Sequence, residues 1–437
     1  MRTLSKELKE HVGKVVTVQG WLHKKRLLGG LTFINLRDRG GLVQIVLKDK
    51  DEVEKLRGLQ IGTVLQVEAM VKDESRAPGG TELHDAKLTV LVPVTEEPAI
   101  EIDKPLSHDP EHLDTLFDNR VVGLRNLQEQ AIFKVQAEIV EALRQHFRSN
   151  GFTDIRTPKL LAAATEGGAE VFKIDYFGKQ EATLAQSPQF YKQMMVGVFE
   201  RVYEIAPVYR AEPSATTRHM SEYISVDGEM GFITLDDLQV FLSGLMNAVV
   251  DHVWQTSEPE LKLWQAVKPV LPQKIPALTM AEINEKYTKA TGTDTTKEKD
   301  LTPAEEKWIC EWAKDNLGSE AVFVSQWPRQ GAKFYHKFYD DNQEVAERID
   351  LLFRGVEITT GSLREHRYDR LLKQLQGMTG NDPNDPGLKP FLSAMKAGMP
   401  PHGGFGMGLE RLTQKFLGLK NVKEASLFPR DINRLAP

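Results

Sequence analysis

Apolar and polar residues alternate along the N-terminal part of the chain with a period of two, which indicates β-strands. Five such segments are predicted, and a short helical candidate, Asp51–Leu56, stands between the third and the fourth. The predicted strands are Val15–Leu22, Leu31–Arg37, Leu42–Leu47, Thr63–Lys72 and Leu88–Val94. Five strands with one helix at this position are typical of an OB-fold, a small β-barrel whose open face binds single-stranded nucleic acid or sugars.

The alternation ends near residue 95, and the pattern changes there. Glu96–Asp118 contains several prolines and many acidic residues without any period, which predicts a linker. Apolar residues then recur every three or four positions, which predicts an amphipathic helix over Asn126–Ser149 that ends at Gly151. A strand containing Pro158 follows, and since proline donates no hydrogen bond to a sheet, we expect this strand at an edge or an interface. The predicted domains are a barrel over residues 1–100, a linker over 101–122 and a larger domain over 123–437.

A long hairpin is predicted over Phe199–Phe232. Both ends of this segment are apolar and rich in strand-forming residues, whereas AEPSATTRH in the middle has the composition of a loop. The side chains that antiparallel pairing would gather near the loop are Arg210, Glu212, Arg218, His219 and Tyr223. Two guanidinium groups beside a flat ring suit a ligand with phosphates and a base. From this segment alone, an ordinary charged hairpin tip is the simpler interpretation.

A second apolar segment, Arg348–Thr360, is predicted to be a strand with two carboxylates, Asp350 and Glu357. Residues seven positions apart lie on opposite faces of a regular strand, but a bulge at Gly355 would restore a common face. Mg²⁺ binds one or two carboxylates together with phosphate oxygens, so this pair suits a metal beside a nucleotide. Two ordinary surface acids are the alternative.

Two further segments have helix-terminus features. In GGFGMGLERL, Gly403–Leu412, the glycines allow close approach to a ligand, and a helix from Gly408 would present Arg411 near its N-terminus, which favours phosphate. In QSPQFYKQ a helix begins, and Gln189 and Lys192 share one of its faces. A solvated surface lysine is the commoner case at such a position.

Composition and charge narrow the class of protein. The 437 residues suffice for two or three domains, and 41% apolar with 27% charged residues is ordinary for a globular protein. The sequence has neither a membrane-length apolar run nor a signal core, and its single cysteine, Cys310, excludes an internal disulfide, so we expect a cytoplasmic protein without a membrane partner. The net charge is −6, but residues 1–50 carry 11 basic against 4 acidic residues. This basic segment fits a nucleic-acid footprint or a solvated face equally well.

The motifs, taken together and in order, resemble those of class II aminoacyl-tRNA synthetases. YRAE with RHMSEY and DGEM resembles motif 2 (199–232), the helix and strand ending at Pro158 resemble motif 1 (near 150–160), and GGFGMGLERL resembles motif 3 (403–416). SPQFYKQ and the closing FPRD resemble segments of aspartyl-tRNA synthetases in particular. The resemblance implies an α+β chain in which an OB-fold barrel precedes a mainly antiparallel sheet flanked by helices. It is weakest over 259–333, a predicted peripheral helical region.

The same resemblance implies ATP-dependent ligation of L-aspartate to tRNA through an aspartyl-adenylate, with Arg210 and Arg411 as catalytic residues. The implied aspartate contacts are Glu166, Gln189, Lys192, Arg210, Thr360 and Arg364. The implied ATP contacts are Arg210, Glu212, Arg218, His219, Tyr223, Glu357, Gly408 and Arg411. The implied Mg²⁺ ligands are Asp350, Glu357 and Thr360. Lys192 and Arg364 would clamp the side-chain carboxylate of aspartate. Thr360 stands where many relatives have serine, and Leu363 where many have glutamine.

In the barrel, GWLH, TFINLRD and VQIV resemble the anticodon-binding domain of aspartyl-tRNA synthetases. The resemblance implies that Phe33 stacks in the anticodon loop, that Gln44 reads the central U, and that Arg26 with Lys24 contacts phosphate. A plain core role for Phe33 is the alternative. His23 and Pro78 resemble the non-discriminating subgroup, which charges the aspartate and the asparagine tRNA alike.

The implied partners are tRNA(Asp) and tRNA(Asn), ATP, L-aspartate, a second copy of the chain through motif 1, and a functional link to a tRNA amidotransferase. The alternatives are a discriminating aspartyl-tRNA synthetase, an asparaginyl-tRNA synthetase and a catalytically inactive OB-fold nucleic-acid-binding protein. Two cations, Lys192 and Arg364, disfavour asparagine, whose amide needs a donor and an acceptor.

Overall fold

The computed structural model describes residues 2–28, 31–162, 170–213, 216–379 and 382–437. They form two compact units, Met1–Glu129 and Gln130–Pro437. Among the described residues, no helix has the length and apolar character that crossing a membrane requires.

The first unit is built around a closed β-barrel with the strand order β1-β2-β3-β5-β4. Its elements are β1 (Val15–Leu28), β2 (Leu31–Asp38), β3 (Gly41–Leu47), α1 (Lys50–Arg57), β4 (Val64–Asp73), β5 (Thr81–Val92), α2 (Pro110–Asp118) and α3 (Arg120–Gly123). Alternation builds this barrel: in β4, Leu65 and Val67 are fully buried while Gln66 between them is not. The predicted OB-fold, with one helix between the third and fourth strands, is confirmed.

Two expectations for this unit were wrong. Strand β5 begins at Thr81 rather than at Leu88, because Asp85 has a φ of 52° and the pairing with β4 shifts register between Glu68 and Met70, so the alternation is interrupted. The segment expected to lack regular structure contains α2. Its buried face has only Leu113, Leu116 and Phe117, too few positions to establish a helical period.

The second unit contains a mainly antiparallel sheet with the order β12-β13-β14-β15-β16-β11-β10-β6, and a small sheet with the order β7-β9-β8. Its strands are β6 (Thr153–Asp154), β7 (Leu160–Leu161), β8 (Lys173–Tyr176), β9 (Gln180–Leu184), β10 (Arg201–Tyr209), β11 (Glu222–Gly231), β12 (Ala277–Thr279), β13 (Ala321–Pro328), β14 (Val345–Phe353), β15 (Val356–Arg364) and β16 (His402–Gly408). Its helices are α4 (Leu127–Ser149), α5 (Gln189–Phe199), α6 (Leu235–Thr256), α7 (Glu258–Leu263), α8 (Met280–Thr291), α9 (Pro303–Leu317), α10 (Tyr368–Thr379), α11 (Lys389–Lys396) and α12 (Leu409–Leu417). The predicted class of core is confirmed.

The long helix α4 and helix α6 cover one face of this sheet. Phe147 of α4 stacks on Tyr203 of β10, with ring centroids 4.3 Å apart, and also packs near Phe405 of β16. Gly228 of β11 faces these rings, because a Cβ there would meet Phe405 at 2.7 Å. Helices α4 and α6 therefore cover one face of the central strands, and the opposite face is available for a site.

Structure and prediction differ at two further segments. Pro158 lies between β6, which is an edge strand paired with β10, and β7, which belongs to the small sheet, so the predicted single strand is divided between two sheets. The predicted strand Arg348–Thr360 is instead the hairpin β14–β15, which turns at Arg354 and Gly355, both with positive φ. The apolar run continues through the turn, which hid the reversal. The hairpin predicted over Phe199–Phe232 is confirmed as β10–β11.

Candidate active site and barrel cleft

A cavity of about 550 Å³ opens in the second unit, on strands β11, β15 and β16. Most side chains that the sequence singled out line it: Gln189, Lys192, Arg210, Glu212, Arg218, His219, Tyr223, Glu357, Thr360, Arg364, Gly408 and Arg411. Glu166 lies outside the described residues. Asp350 is near but does not line the cavity, and it is only 1% exposed.

One end of the cavity is formed by the β10–β11 hairpin. Antiparallel register places Val208 opposite Tyr223, and the Arg210 N–H donates to the Ser221 carbonyl at 2.9 Å just past the strand ends. The Arg210 guanidinium lies 5.6 Å from the Tyr223 ring centroid, and one of its nitrogens lies 3.6 Å from a Glu212 oxygen. The predicted grouping of cation, carboxylate and aromatic plane is present.

The loop side of the hairpin adds a histidine and a second arginine. His219 Nε2 lies 3.6 Å from Glu212, and burial lowers the pKa of His219 although Glu212 opposes that effect. Arg218 is paired with Glu306 of α9 at 3.1 Å. A neutral imidazole and a charged guanidinium therefore face the same part of the cavity.

Helix α12 supplies Arg411 at this end. The helix begins immediately after Gly408, as predicted, and the Arg411 guanidinium donates to the Glu357 carbonyl at 3.0 Å. Glu410, which the sequence did not single out, accepts from the Ile224 N–H at 3.1 Å through both oxygens, and burial raises its pKa to about 7. Glu410 thus attaches α12 to β11 directly beside Tyr223.

The other end of the cavity is a buried charge network. Lys192 Nζ donates to Asp227 Oδ1 and to the Phe405 carbonyl, each at 2.8 Å. Arg364 donates to both oxygens of Glu229, at 2.7 and 3.2 Å, and to Ser362 Oγ at 2.6 Å. Burial acts to raise the pKa of Glu229, but Arg364 and Lys192 outweigh it and the pKa is lowered. The predicted cations are therefore present, together with two carboxylates that keep the network close to neutral.

One glycine, Gly404, leaves room for the Glu229–Arg364 ion pair against the sheet. A Cβ on Gly404 of β16 would collide with the Glu229 carboxylate and the Gly228 carbonyl. Any larger residue at this position would displace Glu229 from Arg364.

The two predicted metal-binding carboxylates lie on neighbouring strands. Asp350 of β14 pairs in register with Thr360 of β15, whose hydroxyl donates to Glu357 Oε1 at 2.6 Å. A register shift after Leu351 leaves Ile358 as the extra residue of a bulge, whereas Gly355, where the bulge was expected, lies in the turn of the hairpin.

The pKa values of the two carboxyl groups are shifted in opposite directions. Burial raises the pKa of Asp350 to about 7, against the opposing effect of Arg348, which contacts both of its oxygens at 3.1 and 2.6 Å. Burial also acts to raise the pKa of Glu357, but Arg411, the Thr360 hydroxyl and Arg348 outweigh it and lower the pKa. Glu357 is therefore an ionised carboxylate that lines the cavity.

Several lining residues were missed, including Gln186, Asp300, His336 and Arg348. Arg348 precedes Asp350 by two positions, and this spacing on one strand face was a usable signal. Asp300 lies within residues 259–333, which contain no motif, and His336 lies just after them. Neither residue could therefore be found from the sequence. Burial, then Arg364 and Arg348, lower the pKa of His336 well below its usual value, so its imidazole is neutral.

The barrel has a cleft of its own, with a volume of about 520 Å³, and all the residues that line it belong to the first unit. Lys24, Arg26, Phe33 and Gln44 all line it, so the structure brings the predicted anticodon contacts together on one face. The Gln44 amide donates to the Glu82 carboxylate at 3.0 Å, and His84 Nε2 lies 2.6 Å from the same carboxylate. Glu82 and His84 also line the cleft, and neither was found from the sequence. Phe33 is only partly buried, which argues against a plain core role.

His23 and Pro78 do not line this cleft. A register shift between Leu22 and Lys24 turns His23 inward, so it is 6% exposed and burial lowers its pKa. Pro78 begins a short turn two residues after Arg76, which does line the cleft. Neither residue therefore joins the predicted anticodon contacts in this cleft, and their role in tRNA discrimination stays a prediction.

Two family models match the chain. One describes class II tRNA synthetases (D, K and N) and covers residues 112–432, and the other describes an OB-fold nucleic-acid-binding domain and covers residues 16–91. The chain is 43% identical to an Aspartate--tRNA(Asp/Asn) ligase of Thermus thermophilus, over all of both chains. It is 38% identical to an Aspartate--tRNA(Asp) ligase of Pyrococcus horikoshii, over 99% of each. It resembles the crystal structure of asparaginyl-tRNA synthetase from Pyrococcus horikoshii with asparaginyl-adenylate, with a TM-score of 0.91, 30% identity and full coverage of both chains.

Proposed function

The chain belongs to the class II tRNA synthetases of the aspartate, lysine and asparagine group, and we propose that it ligates L-aspartate to tRNA through an aspartyl-adenylate. The observation that carries the proposal is one cavity with two chemically different ends. The hairpin end has arginines and a tyrosine suited to a nucleotide, and the other end has Lys192 and Arg364 suited to a carboxylate side chain.

In the first step the α-carboxylate of aspartate attacks the α-phosphate of ATP. An acyl–phosphate bond forms, the bond to the β-phosphate breaks, and pyrophosphate leaves. The attacking carboxylate is already ionised, so no strong base is needed, and alignment with charge neutralisation lowers the barrier. We assign Arg210, at the hairpin end of the cavity, to the α-phosphate and the substrate carboxylate, and we assign Tyr223 and Arg411 to the adenine.

In the second step a hydroxyl of the terminal tRNA adenosine attacks the acyl carbon. An ester bond forms, the acyl–phosphate bond breaks, AMP leaves, and the hydroxyl proton is released. The phosphate of the departing AMP retains the contact that we assign to Arg210. The barrel cleft is proposed to bind the anticodon, with Phe33 as a stacking plane and Gln44 as a base-edge contact.

Mg²⁺ is the proposed cofactor, and the residues present fit it. Glu357 is ionised and shares a hydrogen bond with the Thr360 hydroxyl, so two oxygen donors face the cavity. Asp350 would join them only by releasing part of its contact with Arg348. When bound, the ion would neutralise charge on the phosphates.

Asparagine is the second candidate substrate, because an asparaginyl-tRNA synthetase has a very similar fold. Lys192 and Arg364 favour aspartate, since both are cationic hydrogen-bond donors that match a carboxylate, whereas an amide needs an acceptor as well. Pyrophosphate exchange dependent on L-aspartate, measured beside L-asparagine, tests this choice. Exchange with asparagine alone would contradict the proposal.

The tRNA range is proposed to include both tRNA(Asp) and tRNA(Asn), in line with the name of the relative from Thermus thermophilus and with the identities of His23 and Pro78. Charging of each purified tRNA with labelled aspartate decides the question. Aspartylation of tRNA(Asp) alone would contradict this part and leave the reaction itself intact.

Three further points belong to the proposal. A homodimer through the motif 1 segment is supported by the edge position of β6 and by Leu160, which is 50% exposed. Sedimentation of the purified chain tests it. A cytoplasmic location is also proposed, and the single, buried Cys310 supports it. A functional link to a tRNA amidotransferase follows only if tRNA(Asn) receives aspartate.

A further inference from the structure

Helix α9 lies in the stretch that shows no motif, yet its first turn reaches the nucleotide end of the cavity. Its start is well defined, because Thr302 and Glu305 form a capping box. Ile309, Cys310 and Ala313 anchor the helix in a core with Val322 and Leu352. The helix is thus a fixed support rather than a loose surface element.

Gly355 of the β14–β15 turn lies against helix α9. Its φ is 81°, and a Cβ there would lie 3.4 Å from the Lys307 Cα. The tight glycine turn therefore seats directly against the first turn of α9, next to Glu306.

Glu306 holds two parts of the nucleotide end through one carboxylate oxygen. Its Oε2 accepts from Arg218 Nη1 at 3.1 Å and from the Glu357 N–H at 3.2 Å. The second Nη of Arg218 donates to the Gly355 carbonyl at 3.4 Å. The guanidinium is therefore fixed between a carboxylate and a carbonyl before any ligand binds.

The same contacts extend to the other arginine. Arg411 donates to the Glu357 carbonyl at 3.0 Å, so the peptide units on either side of Glu357 contact Glu306 and Arg411. The Glu306 side chain is 13% exposed and that of Arg218 is 26% exposed, so solvent screens this pair only in part.

We propose that Glu306 is a positioning residue for the ATP triphosphate, which orients Arg218 for the outer phosphates and fixes the Glu357 backbone beside Arg411. The inference rests on the proposed function, in which Arg218 meets these phosphates. A fixed guanidinium loses less rotational freedom when the phosphate arrives, so Glu306 strengthens ATP binding even though it carries a negative charge.

The test is the dissociation constant for ATP with Mg²⁺, measured by calorimetry without amino acid. Glu306→Gln keeps an acceptor for the Glu357 N–H and removes the charge that holds Arg218. We expect it to weaken ATP binding about tenfold, the order lost with a charge-assisted hydrogen bond. The KM for aspartate in pyrophosphate exchange should be unchanged. The matched control is Glu311→Gln on the same helix, whose side chain is 65% exposed.

A second comparison separates positioning from a general structural role. In an Arg218→Ala background, Glu306→Gln should cause no further loss of ATP affinity. An equal loss in both backgrounds, or tighter ATP binding by Glu306→Gln alone, would overturn the inference. A wild-type chain that binds ATP but shows no exchange with aspartate would instead contradict the proposed function and leave the affinity comparison valid.

Discussion

The two ends of the catalytic cavity are built from similar charged groups in opposite environments. At the amino-acid end the side chains of Lys192, Asp227 and Arg364 are only 2%, 3% and 4% exposed. At the nucleotide end those of Arg210 and His219 are 42% and 36% exposed. The first group forms buried ion pairs, Lys192 with Asp227 at 2.8 Å and Arg364 with Glu229 at 2.7 Å, whereas Arg210 and His219 each lie 3.6 Å from Glu212.

This difference separates stability from catalysis. A buried ion network must be complete, because removal of one member leaves an uncompensated charge in a medium of low polarity. Exposed pairs add little to stability, and their groups remain available for a charged ligand. We therefore expect substitutions at the amino-acid end to affect folding and activity together, and those at the nucleotide end to affect activity alone.

The largest effect is expected from Lys192→Ala. It leaves Asp227 without its cation, so we expect aspartate-dependent pyrophosphate exchange to be abolished and the free energy of unfolding to fall by about 3–5 kcal/mol. Exchange assays and chemical denaturation measure the two effects. Lys262→Ala, at a lysine whose side chain is 74% exposed, is the control and should change neither. Normal aspartate-dependent pyrophosphate exchange by Lys192→Ala would contradict the assignment of aspartate as the substrate.

Arg210→Ala tests the opposite end. Its side chain is 42% exposed and lies 3.6 Å from Glu212, so solvent screens this ion pair and the free energy of unfolding should change by less than about 1 kcal/mol. The rate of exchange should fall about 10²–10³-fold, as when a group that stabilises developing charge is removed. Arg370→Ala on the surface, with a side chain 48% exposed, is the matched control. Destabilisation as large as that of Lys192→Ala would break the contrast between the two ends.

The sequence predicted the nucleotide end better than the amino-acid end. Arg210, Glu212, Arg218 and His219 stand close together in one loop, so local pairing alone brings them to one place. Lys192 and Arg364 were assigned only through resemblance, and their partners Asp227 and Glu229 were missed. These four residues come from α5, β11 and β15, and no short pattern records contacts between such distant segments.

Chain reversals and bulges were the other source of error. An apolar run that continues through Arg354 and Gly355 gives no sign that β14 ends there, so Asp350 and Glu357 were placed on one strand. The register shift at His23 similarly interrupts the alternation, so that Leu22 and His23 are both buried. The sequence contained no signal for Glu306, because its proposed role depends on the tertiary contact between the start of α9 and Gly355.

The smallest expected effect concerns the barrel cleft, which resembles the nucleotide end in being partly exposed and rich in basic residues. Phe33→Ala should lower the rate of tRNA charging about tenfold, within the ~1–3 kcal/mol that a base gains by stacking on an aromatic ring. Aspartate-dependent pyrophosphate exchange without tRNA should be unchanged, because Phe33 does not line the catalytic cavity. Leu91→Ala, at an apolar residue of the same barrel that is 45% exposed and outside the cleft, is the control. If Phe33→Ala lowered charging and exchange equally, the loss would come from folding, and the cleft would not be a separate recognition site.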